Sequence, residues 1–354
     1  MKRTLCLAGF LIFSTACLAE APPRYADKAK LLVVRDEKGV ERPVADAAGW
    51  AKRRAHILAS MEEVMGPLPK KDRETPLDPQ GEAAVDCGTY TRQRMTISVE
   101  EGDRMPFYLL VPKKAEGKWP AVVCLHQTNG KLGKAEPAGL GGKPELHYAV
   151  HLAERSYIAL APDYVNFGEY QFDPYKNGYA SATMKGIWNH RRCVDYLRSR
   201  PDVDGERIGA IGHSLGGHNA IFLGVFDERI QCIVSNCGFC SFPTYMKGDL
   251  AGWSHNGYMP RIKSRYDTKP DKMPWDFPEA IAAIAPRAFL ASAPTRDNNF
   301  DLQGVKDCLT AAAPVYKLLG AADALKGNYP QAEHDFPKEA RKVAYEWLDR
   351  WLKR

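Results

Sequence analysis

Ser214 stands in the run Gly212-His213-Ser214-Leu215-Gly216, a G-x-S-x-G pattern. The apolar run Arg207-Ile208-Gly209-Ala210-Ile211 before it reads as a buried strand. Gly217-His218-Asn219-Ala220-Ile221-Phe222-Leu223 after it reads as the start of a helix. A serine on a turn that tight is lifted above the sheet, and glycines flank it because side chains there would clash. The helix N-terminus beside it offers free N–H groups to an anion. The chemistry such a residue can do is attack on an acyl carbon.

A serine needs a base to take its proton, a group to orient that base, and donors for the oxyanion. On this strand-turn-helix arrangement the expected chain order is Ser, then Asp or Glu, then His. His334 opens Ala332-Glu333-His334-Asp335-Phe336-Pro337 after the last predicted strand and is the expected base. Asp297 follows the strand Ala288-Phe289-Leu290-Ala291-Ser292-Ala293 and is the expected acid, with Asp301 a short turn later as the rival. A helix begins soon after Asp301, so an N-cap role suits that residue as well. The oxyanion donors are expected to be the main-chain N–H of Leu215 and that of Gln127, with Thr128 next to it.

Further polar and aromatic residues fall where a substrate would lie. Tyr164 and Glu169 follow a predicted strand at its carboxyl end, the edge where open α/β sheets bind ligands. His126 and His213 flank the site in sequence. Trp253 and His255, with Tyr258, Arg261 and Trp275, are candidates for a sugar platform, since aromatic planes stack on the apolar faces of pyranose rings.

The elements that position these residues follow from periodicity. Trp50, Ile57, Leu58, Met61 and Met65 share one face of a helix over 47–65, stopped by Gly66-Pro67. Tyr90 to Val99 and Met105 to Val111 form a hairpin. Ala121 to Leu125 is an unbroken apolar run, as a strand buried on both faces requires. Helices are then expected near 145–155, 181–199, 216–225, 277–284, 304–319 and 337–352. They alternate with strands at 157–161, 207–211, 230–235, 288–293 and about 326–332. The fold class is α/β, with a mostly parallel sheet and helices on both faces. The stretch from about 239 to 276 is long, aromatic and aperiodic, as a functional cap would be.

Residues 1–19 read as a signal peptide, with Lys2 and Arg3 before the apolar run Leu5 to Ala16 and a cut after Ala19 or Ala21. The chain is therefore expected to be exported, periplasmic or secreted. The alternative is a lipid anchor on Cys17, since Ser14-Thr15-Ala16-Cys17 resembles a lipobox. Residues 20–80 form an N-terminal arm and helix, and 81–354 a catalytic domain. The net charge of +6 is carried by scattered basic residues, which does not indicate nucleic acid. Removing Cys6 and Cys17 leaves seven of the nine cysteines, with no pairing assigned. No histidine pair lies at ligand spacing near Cys237-Gly238-Phe239-Cys240, so no metal is expected. The serine chemistry requires no cofactor.

Over 81–354 the chain resembles the α/β-hydrolase superfamily, and within it the acetyl xylan esterase and dienelactone-hydrolase-like branch. The residues that carry the closer likeness are Leu125-His126-Gln127-Thr128, Ala161-Pro162-Asp163-Tyr164, Gly212-His213-Ser214-Leu215-Gly216-Gly217, Ala285-Pro286-Arg287 and His334-Asp335-Phe336-Pro337. The resemblance implies ester hydrolysis, often of acyl groups on sugars. Many relatives have His-Gly where this chain has His126-Gln127. Glucuronoyl esterases share the fold but typically follow the nucleophile with arginine; Leu215 stands there and argues against that activity. Two other readings are carried. One is a peptidase or amidase of the prolyl-oligopeptidase-like type, which usually needs a further domain to select peptides. The other is a non-catalytic carbohydrate-binding protein, which predicts a damaged triad.

Overall fold

Eight α-helices and twelve strands arise among residues 22–69, 75–113 and 117–353, the parts of the chain described by a computed structural model. The expected signal peptide and Cys17 lie outside these residues. The N-terminal arm pairs β1 (Val33–Arg35) with β2 (Glu41–Pro43) and leads into α1 (Ala47–Met65). Asp46 caps α1 by accepting the Gly49 N–H at 2.7 Å, and Trp50, Ile57, Met61 and Met65 are buried on one face. Arg53, on the same helix, is buried over the Tyr25 ring and pairs with Glu279 at 2.5 Å. A buried pair of this kind fixes the docking of the arm, because losing either partner strands a charge.

The main sheet begins with β3 (Gln80–Gly81), β4 (Val85–Asp86), β5 (Tyr90–Glu100) and β6 (Asp103–Pro112), all antiparallel. Next come β7 (Trp119–Leu125), α2 (Tyr148–Glu154), β8 (Ile158–Pro162), α3 (Ala182–Ser199), β9 (Val203–His213), α4 (Leu215–Phe226) and β10 (Ile230–Asn236). The chain ends with α5 (Arg261–Tyr266), α6 (Phe277–Ala282), β11 (Ala288–Ser292), α7 (Leu302–Leu318), β12 (Leu325–Asn328) and α8 (Lys338–Leu352). The strand order is β12-β11-β10-β9-β7-β8-β6-β5-β3, with β4 also on β5; β7 through β12 run parallel to one another, and β8 meets β6 antiparallel. This is the expected mostly parallel α/β sheet. Connections depart in opposite directions from β7, which lies between β8 and β9. That is the switch point where a crevice opens at the carboxyl ends of the strands.

The aromatic stretch expected as a cap packs into the core of the domain. Phe239, Phe242, Trp253 and Trp275 pack with Phe277, and Trp275 also meets Phe222 of α4. Trp253 and Trp275 are buried, so the sugar platform proposed for them is corrected. Apolar area removed from water outweighs display of the rings, as is usual for large aromatics.

Candidate active site

The turn that carries Ser214 is strained and tightly enclosed. Ser214 has φ 54° and ψ −116°, outside the regions favoured by side-chain-bearing residues. A Cβ on Gly212 would lie 2.2 Å from the Gly216 carbonyl, and one on Gly216 would lie 1.8 Å from the carbonyl oxygen of Leu125. The start of α4 therefore abuts the end of β7. The N–H of Ser214 donates to the carbonyl oxygen of Asn236 at 3.0 Å, which ties the turn to the end of β10. Ser214 itself stays half-buried while its neighbours are buried.

His334 lies on the loop after β12. Its Nδ1 is 3.0 Å from both carboxylate oxygens of Asp297, which follows β11. The N–H groups of Asn299 and Phe300 donate to the same carboxylate at 2.8 and 3.2 Å. Burial raises the Asp297 carboxyl, but the His334 bond and these N–H groups hold it below its ordinary value. Asp301 has a different job: its Oδ1 accepts the Gly304 N–H at 2.7 Å and caps α7. The His334 ring packs 4.8 Å from the ring of His213, the residue before the serine, and 6.0 Å from Phe300. Among the described residues no hydrogen bond joins Ser214 Oγ to His334.

The N–H groups of Leu215 and Gln127 make no hydrogen bond among the described residues, and both belong to the segments that meet at Gly216. The Gln127 side chain turns away, donating to Glu136 at 2.8 Å. An ion cluster built on buried Lys134 and Asp163 steadies this loop. Lys134 Nζ reaches Asp163 at 2.8 Å and Glu169 at 2.7 Å, and the Lys134 N–H donates to Asp163 at 2.8 Å.

Several expected substrate contacts are engaged by the protein itself. His126 is buried; its Nε2 accepts the Tyr164 N–H at 2.9 Å, and its Nδ1 lies 2.6 Å from the Gln127 carbonyl oxygen. That pairing requires the proton on Nδ1 and clamps the loops after β7 and β8 together. Tyr164 is buried, with its hydroxyl on the Gly257 carbonyl at 3.2 Å. Glu169 holds Lys134 and Arg94, whose charges and hydrogen bonds bring its carboxyl down to about 2. His213 is buried, and its Nδ1 accepts from Asn236 Nδ2 at 2.7 Å. Sequence position placed these four at the site, but the protein itself engages His126, Tyr164 and Glu169, and His213 through Nδ1. His255 is exposed and rests 4.1 Å from the Tyr258 ring. The Tyr258 hydroxyl lies 2.9 Å from Thr128 Oγ1, so this segment reaches the loop after β7.

Three site residues escaped the reading of the sequence. Asn236, fully buried, joins His213, Ser214 and the His334 loop. Its signal was a polar residue ending an apolar strand at the sheet's carboxyl edge. Cys237, next in the chain, has φ 49° and places Sγ 3.4 Å from the Asp335 carbonyl oxygen. His218, one helical turn after Ser214, is buried 4.7 Å from Trp253, and among the described residues neither His218 Nδ1 nor Trp253 Nε1 has a hydrogen-bond partner. Burial pushes the His218 imidazole down to about 3, so it is neutral near pH 7. A cleft of about 700 Å³ lined by Lys143, Arg296, Asn298, Gln331, Glu333 and Asp335 opens on His334.

This geometry can be set beside known proteins. The family described as glucuronyl esterase, fungi, matches residues 103–320, more than half of the chain. YtaP of Bacillus subtilis strain 168 is 25% identical over 273 residues, covering 73% of this chain and 88% of YtaP. Carbohydrate esterase MZ0003, from an unknown prokaryotic organism, is 28% identical over 145 residues, covering 39% of this chain and 34% of its own length. Among solved structures, a glucuronoyl esterase from Solibacter usitatus superposes with a TM-score of 0.69 at 21% identity, covering 92% of this chain and 98% of that one. At that identity the likeness is one of fold.

Proposed function

The chain belongs to the glucuronyl esterase family of carboxylic ester hydrolases, and from that premise we propose that it works through Ser214, His334 and Asp297 by way of an acyl-enzyme, deacetylating a carbohydrate or polysaccharide. The observation that carries the reading is His334 Nδ1 held by both oxygens of Asp297 at 3.0 Å, with its ring packed against the residue preceding Ser214.

Asp297 accepts the Nδ1–H and so leaves Nε2 free as a proton acceptor. Ser214 Oγ attacks the ester carbonyl as Nε2 takes its proton; catalytic hydrogen bonds commonly close only once substrate is bound. The oxyanion sits on the N–H groups of Leu215 and Gln127, which need no reorientation at that moment. His334 then protonates the departing alcohol, and a water molecule repeats the sequence to release the acid. No step calls for a cofactor.

A second reading, hydrolysis of a uronic acid ester, is favoured by the family. Leu215 weighs against it, since the buried leucine brings no positive charge beside the nucleophile. The residues before Ala19 or Ala21 support an exported enzyme, with a lipid on Cys17 as the alternative. Among the described residues no helix is long and apolar enough to cross a membrane.

The test compares acetate release from acetylated xylan and p-nitrophenyl acetate with hydrolysis of a methyl glucuronate ester, for wild type and Ser214→Ala. Acetate release lost in the variant supports the proposal. Hydrolysis of the uronate ester alone moves the substrate to the second reading. A variant as active as wild type removes Ser214 from the mechanism.

A further inference from the structure

We propose that Cys237, Asp297 and His334 form a binding site for a soft divalent cation such as Zn²⁺, and that an ion held there shuts down proton transfer at His334. The second half rests on the proposal that His334 is the base; the first half does not.

Cys237 Sγ, a carboxylate oxygen of Asp297 and a ring nitrogen of His334 lie within 4.8 Å of one another. The three follow different parallel strands, β10, β11 and β12, whose carboxyl ends are neighbours in the sheet. The left-handed backbone of Cys237, at φ 49°, turns its side chain back toward the His334 loop. Zinc binds sulfur at about 2.3 Å and nitrogen or oxygen at about 2.0–2.2 Å, often through three protein ligands with one position left to water. Ligand atoms around such an ion stand about 3.3–3.8 Å apart. The Asp297–His334 edge, at 3.0 Å, is already near that spacing, so seating an ion asks for a shift of about an ångström or less along the edges to Cys237. A thiolate and a carboxylate together neutralise the dication, and sulfur and imidazole select for a soft ion.

The effect on catalysis follows from proton positions. In the free protein Nδ1–H faces Asp297 and the Nε2 lone pair is available. An ion on Nδ1 needs a lone pair on Nδ1 itself, so the ring proton moves from Nδ1 to Nε2. Nε2–H is a donor and cannot accept the Ser214 proton. The Cys237 thiol gives up its proton to solvent, so one proton leaves for each ion bound and the site ends neutral.

The test titrates the full chain with Co²⁺ as the probe and follows near-ultraviolet thiolate-to-cobalt absorption, proton release and p-nitrophenyl acetate turnover. The expected result is one ion per chain, a thiolate band, one proton released, and turnover reduced by more than about tenfold and restored by EDTA. Cys237→Ser should lose the band and weaken inhibition by about tenfold or more, measured against its own metal-free rate. Cys237→Ala, compared by thermal unfolding, guards against a folding artefact in the serine variant. Absence of the band in wild type, or inhibition in both cysteine variants as strong as in wild type, overturns the site while leaving the esterase proposal intact. A bound ion with undiminished turnover overturns the inhibitory role. If the protein hydrolyses no ester at all, the functional proposal fails and the absorption still decides the site.

Discussion

Asn236 donates from its side-chain nitrogen to the carbonyl oxygen of Asp335 at 3.1 Å. The same nitrogen holds His213, and the Asn236 carbonyl oxygen accepts the Ser214 N–H. One buried residue thus sets the distance between the serine turn and the loop that carries His334. Asn236→Ala should lower kcat by about tenfold or more, with KM changed by less than about twofold, because the loss falls on alignment rather than on binding. Leaving its buried partners unsatisfied should also cost about 1–3 kcal/mol of stability. Steady-state kinetics and urea unfolding check both figures.

The two carboxylates after β11 should separate cleanly. Asp297→Asn replaces the carboxylate that fixes the His334 tautomer with an amide that can donate to Nδ1, and should reduce kcat by about 10⁴-fold. Asp301→Asn should leave turnover within about twofold, since asparagine caps a helix as well as aspartate does. Asp301→Ala, which loses the bond to Gly304, should cost about 1 kcal/mol of stability. Equal kinetic losses in the two asparagine variants would remove Asp297 from the role proposed for it.

Gly216→Ala should not give a stable folded protein. Its Cβ would stand 1.8 Å from the Leu125 carbonyl oxygen, a backbone atom that cannot swing aside. A loss beyond about 4 kcal/mol is expected, the range of severe backbone clashes. Gly39→Ala is the control. Its φ is 75° but nothing lies within 4 Å of the added carbon, so only a backbone cost of about 1 kcal/mol is expected. Expression yield and thermal melting distinguish the two.

Stability should fall on acidification below pH 6.5. Burial pushes His190, His213 and His218 each down to about 3 from 6.5. Between those values the unfolded chain binds protons that the folded chain refuses, so the stability present above pH 6.5 is lost as pH falls. Each histidine contributes about 1.4 kcal/mol per pH unit well below 6.5. Asp276 acts oppositely: burial lifts it to about 7, so its contribution is complete below 3.8 and lost as pH rises toward 7. The histidines lowered by burial, His126 and His151 among them, outnumber Asp276 and Glu279, the two carboxyls that burial raises. Denaturant midpoints measured from pH 7 to 4.5 should therefore decline, and His190→Gln should flatten the slope by about 1.4 kcal/mol per pH unit.

Much of this protein was legible one segment at a time. The α1 face of Trp50, Ile57, Met61 and Met65, the unbroken Ala121–Leu125 strand and the glycine-flanked Ser214 turn follow from local periodicity and local steric exclusion. Such features are decided within one turn or one strand, so the sequence suffices for them. Which side chains remain free was decided elsewhere. His126, Tyr164, Glu169 and His213 stand near the serine turn by position, yet the packing of the β7 and β8 loops and of β10 engages their polar atoms. Asp297 faces His334 while Asp301, four residues on, caps a helix. Cys237, Asp297 and His334 are far apart in the chain and converge because β10, β11 and β12 are adjacent in the sheet. Strand order depends on long-range pairing and burial summed over the whole chain, and no window of the sequence contains it. The sequence alone determined the elements and the residue types at their ends; the tertiary structure decided which of those ends became neighbours.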